Sequence, residues 1–163
     1  MALQQGRLAR LLQDLSDESP QGFAEAGRRW SALYASYAAD ARSVLGGAPI
    51  GLSVAESLLT RTLAGVFATS SDPVTTAQNM AAALTAFWLL PPVAFSGATP
   101  GAVTAVGGTV FLAAALASAW GSNLASRAPA PQAAASVAAA LHAFTETVIV
   151  THPTPTPTVG PIT

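Results

Sequence analysis

The sequence predicts an all-α fold: a single bundle of about five to six helices over residues 1–145, then an extended, β-prone C-terminal arm over residues 146–163. Three observations lead there. Apolar residues recur at helical spacing in successive segments, each bounded by a capping residue, a proline or a glycine pair. Alanine, the strongest helix former, dominates the apolar count. Beyond Glu146 the period changes to a β-branched run and then to alternating proline and threonine. At 163 residues, one domain is expected.

Leu3, Leu8, Leu11, Leu12 and Leu15 mark a short first helix that ends around residues 16–18. Ser19 and Pro20 offer a cap and a first-turn proline for the second helix, whose apolar stripe includes Phe23, Trp30, Leu33, Tyr34 and Tyr37. Gly46 and Gly47 stop it. The third helix opens at Ser53, with Glu56 completing a capping box, and runs through Leu59, Leu63 and Phe67. Asp72 and Pro73 start the fourth, which carries Met80, Leu84, Phe87 and Trp88 until Pro91 and Pro92 end it. Residues 93–101 read as a loop. A fifth helix could begin at Thr99 and Pro100, but Gly107 and Gly108 weaken its start, so its firm part is 109–123, with Phe111, Leu112, Leu116 and Trp120. Pro129 and Pro131 break the chain before a sixth helix over about 132–144.

Charge is spread very unevenly. Residues 1–61 hold twelve of the fifteen charged side chains, and residues 73–126 hold none. Charged residues make up 9% of the chain, against about 25% in an ordinary soluble domain. A small domain leaves much of its surface exposed, so it cannot hide so long an uncharged stretch in its own core. Lipid or other protein subunits must cover part of it. The membrane reading is a small lysis-type (holin-like) protein with a helical hairpin at 73–126, since residues 102–120 are long enough to span a bilayer. Against it, about half of those residues are Ala, Gly, Ser or Thr, and no basic cluster flanks the segment. Gln78, Asn79, Ser122 and Asn123 also stand where an aromatic and basic belt would be expected. Cover by protein is the favoured reading.

No residue set spells out a reaction. Without cysteine, neither a disulfide nor a thiolate metal site can form. His142 and Glu146 share a helical face, but the other histidine, His152, falls in the arm; a surface pair is expected and no metal site. Ser53 with Glu56 is a cap, and no histidine lies near in sequence to activate the hydroxyl. The glycine pairs lack the lysine and strand of a phosphate loop. Arg28 and Arg29 read as a solvated face with Glu25. Trp30, Tyr34, Tyr37, Trp88 and Trp120 read as packing anchors. A net charge of −1, with no lysine, lacks the footprint of a nucleic-acid binder. Residues 1–14 lack the pattern of a signal peptide. We expect no enzyme, no cofactor, no small-molecule substrate and no specific nucleic acid.

The arm, rich in Pro and Thr, gains no burial of its own, so a neighbour is expected to order it, for example by accepting residues 147–151 on a sheet edge. Trp30 and Tyr34 four apart, Ala-Phe-Trp-Leu-Leu-Pro-Pro-Val-Ala-Phe over residues 86–95, and Thr-Val-Ile-Val-Thr-His-Pro over 147–153 together resemble small alanine-rich virion proteins of tailed bacteriophages and phage-like particles. The resemblance spans most of residues 20–153. It implies a structural subunit present in many copies in the virion, plausibly a ring at the head-to-tail connection (neck), tail or baseplate, assembled in the host cytoplasm. Its partners would be copies of itself and neighbouring virion proteins. Trp88, Pro91, Pro92, Phe95, Thr147, Val148, Ile149, Val150, Thr151 and Pro153, with the arm as far as Pro155, are the expected subunit contacts. No catalytic residue is implied.

Overall fold

The computed structural model describes residues 3–17, 19–153 and 157–163; Glu18 and residues 154–156, which include Pro155 of the expected arm, lie outside the described residues. Among the described residues there are six helices: α1 Gln5–Asp17, α2 Phe23–Ala38, α3 Leu52–Thr69, α4 Pro73–Leu89, α5 Thr109–Ser126 and α6 Ala130–Thr145. Five strands join them: β1 Pro49–Ile50, β2 Ala94–Phe95, β3 Gly101–Val106, β4 Val148–His152 and β5 Thr158–Pro161. The fold is therefore mainly helical with an antiparallel sheet, and not the all-α bundle expected.

The helices follow the apolar periodicity. In α1, Leu8 and Leu12 are buried, and the helix lies on α6. Helix α2 packs on α3 at close range because Gly27 sits at the contact. A Cβ there would lie 2.7 Å from the Ala64 amide nitrogen and 2.8 Å from the Thr60 carbonyl, so only glycine fits without separating the helices. Ser31 Oγ and Thr60 Oγ1, 2.5 Å apart, fasten the same contact. Asp72 caps α4 as expected, its Oδ1 accepting from the Thr75 N–H at 2.8 Å, with Pro73 in the first turn. That bond and its companions to the local backbone and Thr75 hold the Asp72 carboxyl below its ordinary range.

Two expected caps are different. Helix α3 begins after Gly51, which is left-handed at φ 75°, and Ser53 lies inside the helix. Helix α2 starts at Phe23 after Gly22, and the Gln21 N–H donates to Glu25 Oε2 at 2.5 Å. Gly46 and Gly47 do not end α2, which stops at Ala38; they turn the chain beside Ser96. A Cβ on Gly47 would run into the Ser96 carbonyl oxygen.

The sheet runs β1-β2-β3-β4-β5, with every neighbouring pair antiparallel. The segment expected as a loop supplies β2 and the start of β3. The arm supplies β4 and β5, which correct its expected docking on a neighbour: they pair within this chain. Val150 stands opposite Val103 on one side and Gly160 on the other, so both edges of β4 are hydrogen-bonded. Val148, Val150 and His152 point inward in alternation, and Ile162 closes over them. Burial of this apolar face is what orders the segment. Arg42 and Thr163 exchange both backbone hydrogen bonds at 2.9 Å, so the chain entering β1 also touches the far edge of the sheet.

Candidate interaction surface

A row of buried polar groups crosses the core. Trp88 Nε1–H donates to Tyr34 Oη at 3.0 Å, Tyr34 stands 2.9 Å from Thr145 Oγ1, and Thr145 donates to the Leu141 carbonyl at 2.7 Å. Since Thr145 gives its proton to Leu141, the phenol must donate to Thr145, and each proton in the row has one acceptor. Phe87 meets both Tyr34 and Trp88 edge-on, at centroid distances of 5.2 and 5.3 Å. Burial pushes the Tyr34 phenol up to about 12, against the weaker pull of its bonds with Thr145 and Trp88. The row ties α2, α4 and α6 together.

A second row runs Tyr37, His142, Glu146. Tyr37 Oη is bonded to His142 Nδ1, and His142 Nε2 faces Glu146 Oε1 at 3.6 Å. The expected surface pair is thus also a core contact on its histidine side. Phenol, imidazole and carboxylate in line are the parts of a proton relay, but Tyr37 is fully buried. Desolvation first, then the nearby Tyr34 and Glu146, raise its phenol far above the ordinary range and keep it protonated. The row locks α2 to α6.

His152, expected in the arm, is fully buried. Its Nδ1 donates to the Thr99 carbonyl at 2.7 Å, and Nε2 has no partner among the described residues. Gly101 lies against the ring, where a Cβ would come within 2.6 Å. Among the described residues no group of three or more His, Asp or Glu is placed to hold a metal, and no helix is long and apolar enough to cross a membrane.

The expected contact residues divide. Trp88, Phe95, Val148 and Val150 are buried inside the chain's own core, and Thr147, Ile149 and Thr151 are half-buried. Pro91, Pro92 and Pro153 are exposed. Pro91 and Pro92 line a shallow cleft of about 290 Å³ with Ile50 and Val54, both more than half exposed.

The larger apolar surface is α5. Leu112 and Leu116 face inward, while Val110, Phe111 and Leu124 are 80%, 81% and 76% exposed. Ala114, Ala115 and Ser118 fill the outer side between them, and no charged residue occurs in the helix. A cleft of about 460 Å³ runs along its α4 side past Val74 and Ala114. Another of about 430 Å³ opens near its C-terminal end, between Trp30 and Trp120, with Leu12 and Val137 behind and Leu124 on the rim. Apolar character alone groups Phe111 with the core residues of this helix, and the structure separates it from them. Adjacent residues on a helix point about 100° apart, so Phe111 and Leu112 cannot share one face, and the Leu112–Leu116 spacing selects the second.

No family model, curated protein or solved structure matches this chain.

Proposed function

We propose that this chain is a non-enzymatic structural subunit of a phage or phage-like particle, in the head-to-tail connection, tail or baseplate, assembling through apolar helix faces. One observation carries the reading: α5 turns Val110, Phe111 and Leu124 into solvent on a helix without a single charge. Exposed apolar faces of this kind mark sites of association. The sequence resemblance to small alanine-rich virion proteins supplies the class of particle.

Magnitudes favour many weak contacts over one strong one. Burying the three large side chains returns about 5–8 kcal/mol gross, and association itself costs about 4–15 kcal/mol. A single α5 contact is therefore marginal, while repetition around a ring lets each copy be held on more than one side. The C-terminal segment contributes in a different way from an exchanged arm, because β4 and β5 complete the subunit's own sheet. Mass spectrometry of particles purified from the source cell tests the reading. The chain should be present at several copies per particle and stay with the particles through density-gradient centrifugation. Its absence from such particles would overturn the assignment.

A further inference from the structure

We propose that the surface between Trp30 and Trp120 binds a small organic cation with an apolar tail, its ammonium head beside Asp72. The proposal stands apart from the assembly reading above and does not depend on it. Two clefts meet here, and Trp30, Pro73 and Trp120 line both. One, of about 450 Å³, adds Phe67 and Asp72 to the two indoles. The other is the apolar cleft of about 430 Å³ with Leu12 and Val137 behind it. Three half-buried rings, from α2, α3 and α5, thus share a cleft with one exposed carboxylate. Among the described residues none of the three is in contact with another aromatic ring. Aromatic faces attract cations, most of all weakly hydrated quaternary ammonium groups, and the adjoining apolar cleft takes the tail.

The sign of the ligand follows from the lining. Asp72 is the one charged residue on the walls of the two clefts. It stands between the C-terminal end of α3 at Thr69 and the N-terminal end of α4 at Pro73. Those helix ends carry about half a charge each, of opposite sign, so they offset and the carboxylate charge remains. Capping uses Oδ1, and the bonds to Thr75 and the local backbone keep the group ionised. The arginines nearest in sequence do not cancel it. Arg28 and Arg29 approach Glu25 at 4.0 and 2.6 Å, and Arg127, three residues past Leu124, lines neither cleft. An anionic ligand would meet Asp72 with no arginine on the walls to hold it, and a neutral one would gain nothing from the carboxylate.

The test titrates the full-length chain with octyltrimethylammonium below its micelle concentration, with octanoate and 1-octanol as the anionic and neutral counterparts. Indole N–H resonances read the binding by NMR. Those of Trp30 and Trp120 should shift, while that of Trp88, bonded to Tyr34 in the core, should stay. Octanoate should bind at least about tenfold more weakly than the cation. Asp72→Asn keeps a capping side chain and should weaken the cation about three- to tenfold without changing octanol binding. Trp120→Leu keeps apolar bulk and should weaken the cation about three- to thirtyfold. Circular dichroism checks the fold, and Phe67→Leu replaces Trp120→Leu if that variant does not fold. Equal affinity for all three probes, or no shift of either indole at any soluble concentration, overturns the proposal. Tighter binding of a trilysine peptide than of the quaternary cation also overturns it, assigning the cleft to a protein partner.

Discussion

Tyr34→Phe removes one oxygen from the middle of the buried polar row and leaves the ring in place, so no cavity forms. The Trp88 N–H then loses its 3.0 Å acceptor and has no route to water, since Trp88 is fully buried. An unsatisfied buried donor costs about 1–3 kcal/mol, and the lost Tyr34–Thr145 bond adds about 0.5–1.5 kcal/mol. Thr145 keeps the Leu141 carbonyl at 2.7 Å, so the damage does not spread along the row. The expected loss is about 2–4 kcal/mol, or roughly 5–12 °C in Tm for a chain of this size. Urea unfolding followed by tryptophan fluorescence measures it, and Trp88 itself reports on the site. Thr145→Val, which strips the acceptor from the phenol, should cost a similar amount, and the double variant should cost less than the sum. A Tyr34→Phe loss below about 0.5 kcal/mol would show that the row does not hold α2, α4 and α6 together.

The same phenol sets an alkaline limit. Its folded-state value of about 12 lies above the unfolded one near 10, so its contribution to stability is full below pH 10 and falls by about 1.4 kcal/mol per pH unit between pH 10 and 12. Tyr34→Phe should remove that share of the alkaline fall and leave the share owed to the buried Tyr37 phenol, and urea midpoints across the interval decide it. Gly27→Ala forces α2 from α3, because a Cβ meets backbone atoms at 2.7 and 2.8 Å; a loss of about 1–3 kcal/mol is expected in thermal melts, and an unchanged Tm would contradict the packing. Truncation after His152 deletes β5 and the buried Ile162, so it should cost about 3 kcal/mol or more in urea unfolding; unaltered stability would mean that the segment adds nothing to the subunit.

The helices are legible in the sequence because their signals are local. Asp72-Pro73 reads as a start, Pro91-Pro92 as a stop, and the apolar spacing of α4 survives its alanine content. The sheet is not legible. Its β3 is Gly-Ala-Val-Thr-Ala-Val, and β1 and β2 are two residues each, too short and too alanine-rich to show a period of two. Without β3 in view, the β-branched run at 148–152 has no visible partner and reads as an arm. His152 is misplaced for the same reason, since its burial depends on Thr99 and Gly101, about fifty positions away. The large apolar residues expected at subunit contacts are taken by the subunit's own core. Trp88, Phe95, Val148 and Val150 serve the subunit's own core, and the large side chains that α5 leaves exposed, Val110, Phe111 and Leu124, are not among the expected contacts. That distinction follows from which of two adjacent large residues on α5 the core accepts, and composition carries no trace of it.

Sedimentation equilibrium of the purified full-length chain over a wide concentration range tests the central claim most directly. Reversible association that Phe111→Arg weakens is the expected result. One species at the 16.3 kDa monomer mass at every concentration, unchanged by that substitution, would contradict it.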